Sequence, residues 1–255
     1  MGDTPPVSPD ATSSRPVAVA FCPHPPLLLP ALEGAPTPAT DRLRIACSDV
    51  VATVLGVDPD VVLVVGEGPN GVRYGDGDAG DLRPWGATGR QPFSGRVRPG
   101  GRELPLAHTV AAWLLDRAGY AGTRLGVAPD DLDAALLDLP GPVALLAMGD
   151  GSARRSDKAP GHLDPAAEGF DAAVADALAA GDAGALAALD PVEGDRLMAS
   201  GTATWRAVGA ALAGVPTTAR LVHAAAPHGV GYLVADWVLA HVPDGVPGWL
   251  TRGEG

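Results

Sequence analysis

Pro16-Val17-Ala18-Val19-Ala20-Phe21-Cys22-Pro23-His24-Pro25-Pro26-Leu27-Leu28-Leu29-Pro30 joins a short apolar run to a proline-bound histidine. Val17–Phe21 has the length and continuity of a buried strand. His24 then falls just past the strand end, between prolines that fix φ on both sides and present the imidazole rigidly. Working outward, Val61–Val65, Val143–Ala147 and Arg220–Ala224 read as further buried strands, with Arg124–Val127 a less continuous fifth. Unbroken apolar runs of this kind belong to a sheet covered on both faces. Helical patterns lie between them. Leu104–Ala118 carries Ala107, Val110, Ala111 and Leu114 on one stripe. Pro165–Ala180 has Asp164 as N-cap, Phe170, Val174 and Leu178 on one face, and Gly181 as its stop. Asp182–Leu189, the capping pattern at Asp190-Pro191-Val192-Glu193 and Trp205–Leu212 are further helices. Strands alternating with helices give an α/β fold.

The 255 residues suit one large domain, and a hydrophobic content of 46 % allows a sizeable core. Aromatics are only 4 %, so Ala, Val and Leu must fill it. A net charge of -12 argues against nucleic-acid and anionic-membrane partners, which need a basic face. Cys22 and Cys47 lack metal-motif spacing, so a reduced, cytoplasmic protein is expected, from a GC-rich bacterial genome by its Ala, Gly, Pro, Asp and Arg bias. Residues 1–15 are polar and proline-rich and read as a disordered tail rather than a signal peptide. A single domain over 16–242 and a C-terminal tail over 243–255 complete the division. Gly68–Arg102 stands apart as a long Gly/Arg/Pro-rich loop with six arginines.

Two further signatures lie downstream. One is Ala147-Met148-Gly149-Asp150-Gly151-Ser152-Ala153-Arg154-Arg155, followed by Lys158-Ala159-Pro160-Gly161-His162-Leu163-Asp164-Pro165. The other is Ala226-Pro227-His228-Gly229-Val230-Gly231-Tyr232-Leu233-Val234-Ala235. With the proline-histidine-proline segment, their order and spacing resemble the LigB-like family, the class III extradiol dioxygenase catalytic-subunit proteins that include the Memo-like branch. The resemblance spans residues 16–240. It implies a three-layer α/β/α domain around a mixed, mostly buried sheet. It also implies a non-haem Fe(II) held by two histidines and a carboxylate, with a further histidine as acid/base. His24 matches the first iron-binding histidine. The second histidine position falls at Gly68, the acid/base position at Ala153 and the carboxylate position near Ala225, none of which carries a donor atom.

Three functions follow as expectations. A degenerate site would bind a small molecule, acidic or aromatic, at the strand-end pocket. The arginines of 68–102, with Arg154 and Arg155, favour an acidic ligand. Its candidate residues are His24, Glu67, Asp150, Ser152, His228 and Arg154. A rebuilt metal site would make a metal-dependent enzyme of oxygenase or hydrolase type, with Fe(II) or another divalent ion on His24, Glu67 and His228. A structural or partner-subunit role, in an oligomer, is the third.

Other residues carry plainer expectations. Asp150 suits a local turn bond, and Tyr232 suits the core with its hydroxyl paired. Cys22 suits a buried thiol, and the arginines of 68–102 suit solvated charges balancing Asp76, Asp78 and Asp81. His108 is expected in solvent near a helix start. His162 and His241 are expected on a loop and a helix surface, and His223 within a buried run. Gly149-Asp150-Gly151-Ser152 lacks the second glycine of a nucleophile elbow, and Gly66–Gly71 matches no P-loop or dinucleotide fingerprint.

Overall fold

The computed structural model describes residues 16–240. The tails expected at 1–15 and 243–255, and His241, lie outside them. The domain is built on a six-stranded sheet. Its strands are β1 (Pro16–Cys22), β2 (Val61–Val65), β5 (Thr123–Val127), β6 (Val143–Met148), β7 (Thr217–Ala225) and β8 (Tyr232–Leu239), in the order β5-β2-β6-β1-β8-β7. β1, β6, β2 and β5 run parallel, while β8 runs antiparallel to both β1 and β7. The sheet is therefore mixed.

Alternation along each strand sorts side chains to two faces. Ala18, Ala20 and Cys22 of β1, with Val62, Val64, Leu146 and Met148, pack under α1 (Pro38–Leu55) and α2 (Leu106–Arg117). Val19 and Phe21, with Leu63, Val65, Leu145 and Trp237, pack on the opposite face. That face is covered by α3 (Leu132–Asp138), α4 (Ala167–Ala180), α5 (Ala183–Ala187) and α7 (Thr202–Ala211), while the short α6 (Pro191–Arg196) packs beside α7. The result is a three-layer α/β/α domain. Phe21 meets Trp237 edge-on at 4.9 Å, and the indole donates to the Leu178 carbonyl at 2.8 Å, locking sheet to α4.

The fifth strand from the pattern, Arg124–Val127, is present as β5. Arg220–Ala224 is part of β7 but is not buried: β7 is the sheet edge, and its residues are half-buried or exposed. Its apolar side chains are split between the two faces, Ala219 and Leu221 toward the α4 side and Val222 toward the α1 side, and as the edge strand it is covered incompletely on both. Segment 68–102 is not a plain loop. It forms a small hairpin of β3 (Ala79–Asp81) and β4 (Arg90–Pro92). Asp78 ties its ends by accepting from the Gly75 and Arg102 amides at 2.9 and 2.6 Å. Tyr74 exchanges both backbone hydrogen bonds with Gly126 of β5, so this insert lies against the domain and covers α2.

Helix α4 starts at Ala167 and not at Pro165: Asp164 opens a turn ahead of it, its carboxylate accepting from the Ala166 amide at 3.0 Å, and the helix ends at Gly181 with φ 68°. Gly169 inside it has open space where a Cβ would sit. Gly169→Ala is therefore expected to raise stability by about 0.5–1 kcal/mol, because alanine loses less backbone freedom on folding. Urea unfolding checks this through the midpoint, with an unchanged m-value.

Candidate functional site

Three parallel strands end at one mouth, and each delivers a polar residue two positions past its last residue. β1 gives His24, β2 gives Glu67 and β6 gives Asp150. The registers Cys22↔Met148 and Val65↔Ala147 bring these ends level. The carboxyl ends of parallel strands are where open α/β sheets bind ligands.

His24 is buried, and its amide donates to Asp150 Oδ1 at 2.7 Å. Its ring is flanked on both edges. Nε2 lies 3.9 Å from Glu67 Oε1, and Nδ1 lies 3.7 Å from Asp150 Oδ1. Both distances exceed a direct hydrogen bond, and Nδ1 has no hydrogen-bond partner among the described residues. The Glu67 side chain is 53 % exposed and that of Asp150 16 %. Burial pushes the Asp150 carboxyl above its ordinary value, opposed by His24 and its amide and reinforced by Glu67. Tyr232, at the start of β8, has its hydroxyl pushed up by burial and then by the Asp150 charge.

A raised folded-state value means that the native protein binds this proton more tightly than the unfolded chain. The cost of ionising Asp150 is absent at acid pH. It develops as pH rises through the usual carboxylate range and grows until the raised folded-state value is passed. Asp150→Asn is thus expected to stabilise the protein by about 1 kcal/mol at neutral pH, the usual return for relaxing a strained site. That gain should vanish below pH 4. Thermal melts across pH check it.

The other candidates lie elsewhere or are engaged. Ser152 is fully buried; its hydroxyl donates to the Leu197 carbonyl at 2.7 Å and its amide to Asp171 Oδ1 at 2.8 Å. Arg154 donates to the carbonyls of Gly161 and Arg196. Arg155 pairs with Asp171 at 2.7 Å. His228 is exposed and lines a separate cleft of about 380 Å³ with Ser156, Lys158, Ala226, Pro227 and Gly229. In the insert, Arg73 pairs with Asp138, Arg83 with Asp81, Arg90 with Glu103 and Arg98 with Asp76. Arg83, Arg90 and Arg98 thus brace the insert, and Arg73 ties it to the end of α3.

His108 overturns the expectation of a solvent position: it is 0 % exposed. The insert covers the face of α2 that the pattern leaves open. The ring packs on Tyr74 at 4.8 Å and near Phe93 at 6.3 Å. Gly126 makes this possible, since a Cβ there would meet His108 Cδ2 at 2.6 Å. Burial lowers the His108 pKa to about 4, with His24 contributing in the same direction. His108 therefore stands neutral beside the mouth. The signal that could have found it was a histidine inside an apolar helical run, Leu106–Leu115.

A divalent metal fits these residues poorly. Glu67 and Asp150 face opposite nitrogens of one imidazole, and one ion takes one nitrogen. Gly68, Ala153 and Ala225 offer no donor. Among the described residues, no group of three or more His, Cys, Asp or Glu side chains is arranged to hold a metal ion. Nor, among them, is any helix long and apolar enough to cross a membrane. Comparison with protein-family models and with curated proteins gives no match.

Proposed function

We propose that this chain is a LigB-like α/β protein whose strand-end mouth binds a small polar molecule, with His24 as its acid/base residue. One observation carries the reading: a buried imidazole is faced at each nitrogen by a carboxylate from a different strand. Such an arrangement can orient the ring and pass a proton to or from a ligand. The family chemistry of ferrous ring cleavage is left out, because the donor set does not match it. The order of the three motifs and the α/β/α layers support the family assignment, and the site supports the divergent role.

The test is titration calorimetry of chelator-free protein against small carboxylates, phenols and amines. At least one class is expected to bind the wild type. The His24→Asn, Glu67→Gln double variant should weaken that binding about a hundredfold, the scale of two lost charge-assisted hydrogen bonds. Binding unaffected by the double variant, no binding from any class, or cleavage of a catechol by the iron-loaded protein would overturn the proposal.

A further inference from the structure

The segment after β6 and the turn before β8 are stitched together by their backbones. The Gly151 amide donates to the Gly231 carbonyl at 2.7 Å, the Gly231 amide to the Ser152 carbonyl at 2.9 Å and the Arg155 amide to the Gly229 carbonyl at 3.0 Å. Each segment also closes on itself. The Ala159 amide donates to the Ser156 carbonyl at 3.0 Å, and the Gly229 amide to the Ala226 carbonyl at 3.1 Å. Gly229 stands at φ 74°, and a Cβ there would meet Ser156 Oγ at 2.5 Å and Ala159 Cβ at 2.6 Å. Only glycine lets the two turns touch at this point. The cleft of about 380 Å³ lies between them, with Ser156 and Lys158 from one turn and Ala226, Pro227, His228 and Gly229 from the other.

Three of its lining side chains can donate. They are the Ser156 hydroxyl, the Lys158 ammonium and the His228 imidazole, which carries at least one N–H in either protonation state. Among the described residues, none of these three side chains has a hydrogen-bond or ion-pair partner. None of the residues lining the cleft is a carboxylate. Asp157, next to Lys158 in the chain, is exposed, while Glu168 and Asp171 are paired with Arg155 at 3.5 and 2.7 Å. In a chain of net charge -12 the cleft is thus locally donor-rich.

We propose that this cleft binds the phosphate group of a small phosphate monoester. Such a group presents three terminal oxygens to three donors, where a carboxylate presents two. Lys158 supplies the point charge, the usual part of a lysine in phosphate recognition. Ala226 and Pro227 offer apolar surface to the organic part, and the volume suits a small molecule. The cleft shares no residue with His24, Glu67 and Asp150, so it stands or falls apart from the role proposed for the mouth.

The test titrates phenyl phosphate into full-length protein carrying ¹⁵N-labelled histidine. The buffer is phosphate-free, at constant ionic strength and a pH above about 7, where the monoester is a dianion. Benzoate forms a second arm, and the His228→Asn spectrum assigns the His228 nitrogens. Phenyl phosphate is expected to move the His228 signals saturably and to leave those of His24 in place, with benzoate at least about tenfold weaker. Lys158→Met and Ser156→Ala should melt like the wild type, yet each should weaken phenyl phosphate binding at least about tenfold, the scale of one lost charge-assisted hydrogen bond. Arg96→Met removes an exposed charge from the insert and should bind as the wild type does. A loss there equal to that of Lys158→Met would reveal general attraction and overturn the site. No saturable shift at His228, or wild-type affinity in both cleft variants, would also overturn it. A shift at His24 in place of His228 would assign the phosphate to the mouth and overturn the cleft. Equal affinity for benzoate would overturn the phosphate class.

Discussion

Asp171→Ala is expected to lower stability by about 4 kcal/mol, a large fraction of what a domain of this size holds. Asp171 projects from α4 and is 3 % exposed. One oxygen accepts from the Ser152 amide at 2.8 Å, and the other pairs with Arg155 at 2.7 Å. The carboxylate also fills the space beside Gly151 and Gly231, where any Cβ would come within 2.6 and 2.2 Å of its oxygens. Gly151 and Gly231 are themselves joined, the amide of the first donating to the carbonyl of the second at 2.7 Å. Asp171 thus pins the turn after β6 to the turn before β8, and Asp150 sits in that first turn. Alanine leaves a buried amide without an acceptor and Arg155 with only the exposed Glu168 at 3.5 Å. Burial pushes the Asp171 carboxyl up, opposed by Ser152 and Arg155. Asn keeps an acceptor and sheds that desolvation cost, so Asp171→Asn should lose less than half as much. Denaturant unfolding of both variants checks the ratio. Equal losses would mean that the ion pair, not the amide bond, holds the turns together.

Gly149→Ala is expected to cost about 3 kcal/mol, at the upper end of overpacking effects, because the clash is with backbone. A Cβ at Gly149 would lie 2.3 Å from the Gly201 Cα. The approach is fixed from both sides: the Gly149 amide donates to the Cys22 carbonyl at 3.0 Å, and the Gly201 amide to the Asp150 carbonyl at 2.8 Å. The end of β6 therefore sits between β1 and the start of α7 with no room for a methyl group. Forcing them apart moves Asp150 from the His24 amide. The variant should lose both thermal stability and the His24 response to ligand. Unfolding by urea and histidine NMR read the two effects separately.

The reason Gly149 and Asp171 matter was only half legible in the sequence. The Gly-Asp-Gly-Ser stretch stands out as a motif after an apolar run, and that run is β6. The three central strands β1, β2 and β6 were readable because burial on both faces leaves nothing but aliphatic residues. The partner of that turn, a lone Asp in an amphipathic helix, carries no local mark. Helix α1 went unread, although Thr37 caps it, Pro38 opens it, and Leu43, Cys47, Val50 and Val54 repeat on its buried face. The edge strand β7 looked buried because Leu221, Val222 and the alanines are apolar, and sequence does not reveal which strand is last in a sheet. Strand β8 was hidden by Asp236, a carboxylate in an otherwise apolar run, which is stable there because Arg220 on β7 pairs with it at 2.6 Å. His24, Glu67 and Asp150 could be placed at one mouth because each follows a strand end. His108 could not, since its burial depends on the 68–102 insert folding back over α2.

The central claim is that the strand ends assemble an imidazole between two carboxylates instead of a ferrous triad. A crystal structure of the wild-type protein, prepared without chelators and with iron supplied, tests it most directly. The expected result places His24 Nε2 near 3.9 Å from Glu67 and Nδ1 near 3.7 Å from Asp150, with no ion shared among protein donors. An iron held by His24 together with a second imidazole, or a His24 ring turned away from both carboxylates, would contradict it.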